Sequence, residues 1–481
     1  MGRSSGRALT ALSICLLTAC TAAPVQPSEG SCPSIGAPPA VNPSPSTPST
    51  PTVRPTKYRV PLVFVVNATR SVSDVTLRAA RRLLSDGADN WSEIGQGSGR
   101  LRVVRATGRS ADRAVQRVRS DRSVLAVVPA DAVDGTVRAL TVGGRHPLRH
   151  PRSYPLQIAA HRPVPEVTTL TMVGDVMLAR RVGSRIRATN DPAGPLRPLA
   201  RRLASAEITV GNFESTLSRD GNPTQGGDSF GADADVVDGL KLAGIDLVSL
   251  ANNHVGDYGD RALRTTLQRF AGRDVAVVGA GRNLDEAREP VIVERDGVRV
   301  GFIGTESIGE TPAATSDRAG TNRLNMPPRT GPLNRKALRR ITGDIKALAK
   351  KADVVVVIPH WGTQYTHRPE PSQRVAARAF AAAGADLVIG GHPHWVQGWE
   401  VAKSAVIVHS LGNFVFDMDF QTKTREGIFL EIVLWGGKVK AVEPVPYVIG
   451  GDFAPRRVSG DRAEKILSDV WRTSRGPFRS R

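Results

Sequence analysis

Cysteine is almost absent from this chain of 481 residues: there are three, and none follows Cys32. A folded part without thiols has no disulfide and no thiolate metal site, so any metal there must be held by His, Asp, Glu or Asn. Acidic residues are also in short supply, 45 against 65 Lys and Arg, for a net charge of +20. Such a balance attracts polyanions, whether nucleic acid, an acidic polymer or an anionic membrane. It specifies no fold, and a GC-rich coding sequence yields the same arginine excess. Aromatics make up only 5%. The apolar stretch Ala8–Ala19 is too short to span a bilayer.

That stretch has a different use. Arg3 and Arg7 precede it, and Leu17-Thr18-Ala19-Cys20 closes it. A basic start, a short apolar core and small residues before a cut make a secretory signal. Leu-Thr-Ala-Cys resembles the lipobox of bacterial lipoproteins, which implies lipidation at Cys20 and an extracytoplasmic protein anchored to the cell membrane. An ordinary signal with a chance cysteine is the alternative. Export argues against a nucleic-acid partner. Thr21–Lys57 is rich in Pro, Ser and Thr with almost no large apolar residues, and is expected to be an extended tether.

Residues 58–163 are expected to fold as a small α/β unit. Strands are predicted at Val60–Asn67, Arg100–Val104 and Val124–Pro129, with a helix over Ser73–Leu84. "VSDVTLRAARRLLSDGADNWSEIG" and "VLAVVPADAV" resemble part of the phosphate-type periplasmic solute-binding proteins. The resemblance spans about one lobe of a two-lobed family, so it transfers no binding residue and implies a docking or spacer unit. With 18 arginines against 8 acidic residues, the unit is basic. That suits contact with a polyanion or simply a solvated face.

From Glu166 to about Gly450 the pattern is strand, polar motif, helix, repeated. "VTTLTMV" leads to Asp175, "EITV" to Glu214, "DLVSL" to Asn253 and His254, "DVVVVIP" to His360, and "DLVIG" to His392 and His394. Helices are predicted at Asp235–Ala243, Arg261–Ala271, Asn334–Lys351 and Ser372–Ala383. The alternation reads as an α/β domain, and 451–481 as a short, partly helical tail. In such folds ligands bind at the C-terminal ends of the strands, so these side chains are predicted to share one pocket. Each has a structural alternative. Asp175 can cap the next helix, and Asn253 can serve a turn. Glu214 can be a solvated loop acid, and His254 and His360 packed histidines. The His392–His394 pair is the hardest to explain away. Gly390 and Gly391 permit a tight turn, and Pro393 stiffens the backbone between the two rings. His146, His150, His161, His367 and His409 lack this setting. Imidazole and carboxylate ligands together suit manganese, iron or zinc.

The motifs "VGDVML", "NFES", "LANNHVGDYG", "PHWG", "GGHPH" and "SLGNF", in this order, resemble the bacterial CapA family, named for poly-γ-glutamate capsule synthesis. The resemblance implies a metallophosphatase-like α/β sandwich from 166 to 450 behind the smaller N-terminal α/β domain. It implies one or two divalent ions on Asp175, Glu214, Asn253, His360, His392 and His394, with His254 as the catalytic histidine. Asp257 and Gly259 would shape the loop after His254, and Asp257 and Asn413 would support the site from behind. The implied activity is a phosphoesterase-like hydrolase acting in the cell envelope, on a phosphoester substrate or an anionic polymer and beside other capsule-synthesis proteins. A non-catalytic partner that holds or exports the polymer is the alternative. One departure stands out. The broader superfamily has Asp-x-His in its first motif, but here Asp175-Val176-Met177 lacks the histidine, and a glutamate replaces the bridging aspartate. The departure bears on a two-ion site rather than on metal binding itself.

Overall fold

Successive strand residues point to opposite faces of a sheet, so a strand that is apolar throughout needs a packed layer on each side. Every residue of Val354–His360 is buried. Val354, Val356 and Ile358 face one core, and Val355 and Val357 face another. Val167–Val176 divides the same way, with Leu170 and Met172 on one side and Val173 and Val176 on the other. These strands therefore lie inside a layered structure.

The computed structural model describes residues 58–480; the expected signal, Cys20 and the expected tether lie outside the described residues. Two large sheets stack face to face. The first runs Ala276–Val278, Leu247–Ser249, Ile208–Phe213, Val167–Val176, Glu426–Trp435, Lys438–Ile449 and Pro455–Arg457, with Asn413–Val415 beside Val167–Val176. Its strands are parallel up to Val167–Val176 and antiparallel from there through Glu426–Trp435 to Pro455–Arg457, while Asn413–Val415 pairs parallel with Val167–Val176. The second runs Val291–Arg295, Val298–Glu306, Val354–His360, Leu387–Ile389, Ala405–Val408 and Trp399–Ala402, parallel through its centre. Met172, Val210, Phe302, Val356 and Ile389 meet in the core between the sheets. Helices Arg180–Thr189, Arg197–Leu203, Val236–Leu242 and Gly259–Phe270 cover the outer face of the first sheet. Arg335–Leu348 and Pro371–Ala383 cover that of the second. The result is the α/β sandwich expected from the sequence.

The N-terminal sheet is built around Tyr58–Asn67, with Arg102–Arg105, Val124–Pro129, Val137–Ala139 and Gln157–Ala160. Its core takes in Val433, Trp435 and Ala441 of the long hairpin Glu426–Ile449. Trp435 Nε1 donates to the Leu148 carbonyl at 2.7 Å, and His146 lies 3.1 Å from Glu443. The helix expected at Ser73–Leu84 starts later, at Leu77, and runs to Ser85. Asp74–Val75 instead pairs with Thr141–Val142. Thr76 is the cap, its hydroxyl accepting from the Ala79 amide at 3.1 Å. Within 451–481, helix Gly460–Thr473 packs into the sandwich, with Trp471 set edge-on against Trp399 at 5.2 Å.

Candidate metal centre

Each candidate side chain stands at or just beyond the C-terminal end of a parallel strand. Asp175 is near the end of Val167–Val176, and Glu214 follows Ile208–Phe213. Asn253 and His254 follow Leu247–Ser249, His360 closes Val354–His360, and His392 and His394 follow Leu387–Ile389. The strands come from both sheets, so the loops meet across one edge of the sandwich. All seven side chains are buried.

The distances place them in one cluster. Ligand atoms of Asp175, Glu214 and His360 lie within 4.8 Å of one another. His360 Nε2 is 2.9 Å from Asn253 Oδ1. The His392 ring centre is 4.9 Å from that of His360 and 5.8 Å from that of His394. His394 Nδ1 is 2.8 Å from Asn413 Oδ1. His254 Nδ1 is 2.8 Å from Asp257 Oδ2, while its Nε2 lies 3.8 Å from Glu214 Oε1. Phe230 stacks on the His254 ring at 3.8 Å. Met177 points elsewhere: its sulfur accepts from the Ala179 amide at 3.1 Å. The place where a first-motif histidine would stand thus adds no imidazole to the cluster.

The two glycines before His392 act differently from the expectation. The left-handed residues of the turn are the histidines, His392 at φ 94° and His394 at φ 58°. An ordinary side chain adopts such angles only under strain. Gly391 is needed for close approach, because a Cβ there would sit 2.5 Å from Asp175 Oδ1. The His392 amide, one residue on, donates to Asp175 Oδ2 at 3.1 Å.

Burial dominates the electrostatics. It raises Asp175 to about 6. It also lifts Glu214 well above the usual carboxylate range, helped by the charges of Asp175 and Asp257. Burial holds His360 and His392 well below the ordinary histidine value and His394 down at about 4. The imidazoles are therefore neutral, with lone pairs available. Among the described residues, Glu214 Oε1 and both ring nitrogens of His392 have no hydrogen-bond partner. Buried polar atoms are rarely left so. Crowded carboxylate, neutral imidazoles and orphaned donor atoms fit a divalent cation, and the mixed N/O set suits manganese, iron or zinc.

A cavity of about 570 Å³ opens over His254, His392 and His394, with Arg180, Tyr365 and Phe420 among its walls. A larger one, about 1350 Å³, lies by Arg119, Lys403 and Lys438 and contains none of the candidate residues.

A sequence model of the family described as "Bacterial capsule synthesis protein PGA_cap" matches residues 169–418. The chain belongs to this family. The PGA_cap segment contains every residue of the candidate metal cluster. The chain is 34% identical over 287 residues to the capsule biosynthesis protein CapA of Bacillus anthracis, covering 58% of this chain and 67% of that one. It is 31% identical over 270 residues to the PGA biosynthesis protein CapA of Bacillus subtilis (strain 168), covering 55% and 67%. Among solved structures, a phosphatase from Mycoplasma pneumoniae aligns at 12% identity over 59% of this chain and 94% of that one, with a TM-score of 0.37.

Within the PGA_cap segment the structure adds residues that sequence reasoning missed. The Asn212 amide lies 2.8 Å from Asp175 Oδ1, 3.2 Å from Glu214 Oε2 and 3.3 Å from His360 Nδ1. It bridges the carboxylates and the imidazole from behind. The available signal was an asparagine inside the strand Ile208–Phe213, where its type is disfavoured. Asn252, rather than Asn253, serves the turn: its Oδ1 accepts from the His254 and Val255 amides, both at 3.0 Å. That leaves the Asn253 oxygen turned to His360. Three of the histidines set aside from sequence have other partners, His146 among them on Glu443 at 3.1 Å. His409 sits on Glu400 at 3.0 Å, and His367 on the Val396 carbonyl at 2.7 Å.

Proposed function

We propose that this chain is a lipid-anchored, extracytoplasmic metal-dependent hydrolase that cleaves a phosphoester during synthesis of a capsule or poly-γ-glutamate. The observation that carries the reading is the set of orphaned buried atoms, Glu214 Oε1 and the two His392 nitrogens, beside Asp175 and His360. Asp175, Glu214, Asn253, His360, His392 and His394 would hold one or two divalent ions, which supply Lewis acidity and an activated water. Asp257 pins His254 through Nδ1. That leaves Nε2, on the Glu214 side, to hand a proton to the leaving oxygen. Phe230 fixes the plane of the His254 ring. The burial of these groups keeps bulk water from screening them.

The envelope setting is supported by Leu17–Cys20 and by the names of the relatives. Those names, with the net charge of +20, also support a second reading: a non-catalytic partner that binds an anionic polymer. Metal content decides between them. Elemental analysis of the full chain beside His392→Ala should find manganese, iron or zinc in the first and a loss of it in the variant. A phosphoester screen on the loaded protein should then show turnover that His392→Ala lacks. A chain that takes up none of these ions, yet binds polyglutamate in a salt-sensitive way, would establish the second reading instead.

A further inference from the structure

Arg180 is the first residue of helix Arg180–Thr189 and has φ 45°, a backbone angle rare for a side chain with a Cβ. Like the two histidines of the turn, it is a left-handed residue at the wall of the cavity above the metal cluster. Strain of this kind persists where the surroundings over-determine it, and it clusters at functional sites. The surroundings here are specific. The Arg180 guanidinium carbon lies 4.5 Å from the ring centre of Phe230, and Phe230 in turn stacks on His254. Guanidinium, phenyl and imidazole therefore stand in register along one wall.

The two carboxylates that meet this guanidinium are unlike each other. Nη2 contacts Asp417, whose side chain is 2% exposed and also accepts from the Arg181 amide at 3.2 Å. That contact is a permanent brace. Nη1 meets Asp228 at 2.9 Å, and Asp228 is 75% exposed on the short turn Gly226–Asp228. An exposed partner on a turn is held weakly, because water and salt compete for it. Nε is buried and has no hydrogen-bond partner among the described residues. The fork of donors that suits an oxyanion is thus held on one edge by Asp417, and its other edge is covered only by an exchangeable carboxylate.

We infer that Arg180 is the anion-binding residue of the metal site, and that Asp228 is its displaceable internal occupant. On this inference, which rests on the phosphoester reading, an oxygen of the substrate phosphoryl group replaces the Asp228 carboxylate on Nη1. Asp417 and Phe230 keep the guanidinium in place during the exchange. Asp228 then acts as a competitor that the substrate must displace, which lowers affinity for weakly charged ligands and favours a dianion.

The test is a calorimetric titration of inorganic phosphate into the full chain, loaded with manganese and freed of excess, with metal content measured on every sample. Asp228→Asn should tighten phosphate several-fold, because the competitor loses its charge. Arg180→Gln should weaken it at least ten-fold, and Arg180→Lys should fall between, keeping the charge but losing the fork. Metal content should be the same in all. Asp228 is exposed, so its variant keeps the test open should Arg180→Gln fail to fold. No phosphate binding by the wild-type chain, or an unchanged or weaker affinity in Asp228→Asn, overturns the inference. So does wild-type affinity in Arg180→Gln. If the loaded protein shows such flat affinities, the metal centre stands and the arginine inference falls. If no sample retains metal but the order of affinities holds, the anion site stands and the hydrolase reading falls.

Discussion

Replacing His392 with alanine separates a metal ligand from a packed histidine, because the imidazole makes no hydrogen bond within the described residues. In metal-free protein its removal relieves an unpaired buried polar group, a gain of about 1–3 kcal/mol. The vacated space costs a similar amount, so the variant should lie within about 2 kcal/mol of wild type. With metal at a hundred times its dissociation constant, wild-type protein gains about 2.7 kcal/mol. Loss of a direct ligand weakens metal by at least the ~10–100-fold seen when an outer partner is lost. At the larger factor the variant gains only about 0.4 kcal/mol under the same conditions. At about 2.1 cal/mol/K per residue, the wild-type gain over the folded part is a shift of roughly 3 °C, against well under 1 °C for the variant. Thermal melts of both proteins in chelator and in manganese measure the four corners of this cycle. Equal metal-induced shifts in wild type and variant would refute the reasoning. So would a variant destabilised as much in chelator as in metal, which would make His392 a packing residue.

Asn212→Ala removes the amide shared by Asp175, Glu214 and His360, and should weaken metal about 10–100-fold in a chelator competition while the chain stays folded. Gly391→Ala sets a Cβ 2.5 Å from Asp175 Oδ1; metal stoichiometry should fall and unfolding free energy drop by about 1–3 kcal/mol. Glu400 supplies a pH test away from the candidate metal centre. Its burial opposes ionisation, but hydrogen bonds from His409 and Arg378 prevail and hold it at about 2 against an ordinary 4.5. A depressed carboxyl stabilises fully above its unfolded value, and that contribution disappears as pH falls through its folded one. Denaturant titrations should show wild type losing on the order of 3 kcal/mol between pH 5 and 2 from this group. Glu400→Gln should lack that part of the pH dependence and be less stable at pH 7.

Much of the architecture was legible because strand and helix periods are local. After their leading aspartates, "DVVVVIP" and "DLVIG" are uninterrupted by charged or polar side chains, and the structure buries Val354–His360 and Leu387–Ile389 on both faces. The same runs end in the polar motifs, so the edge at which the site forms followed from strand direction alone. The long hairpin Glu426–Ile449 went unread, although it carries the contact with the N-terminal sheet. Its apolar residues look like those of any strand, and nothing local says what lies across from them. The helix start misplaced at Ser73 has the same origin, since Asp74–Val75 is recruited by Thr141–Val142 from far along the chain.

The sequence by itself determined the types of the candidate ligands, the loops that bear them and the exclusion of thiolate chemistry from the chain after Cys32. Only the tertiary structure decided which of those loops meet. His392 reaches Asp175 across 217 residues, and His360 reaches Asn253 across 107. It also decided that Asn212 ties the ligands together, that Gly391 serves close approach, and that Arg180, Phe230 and His254 stack along one wall. The reason is physical. Periodicity records which face of an element is apolar. Distances between side chains on different strands depend on sheet order and register, and these are set by the packing of the whole core.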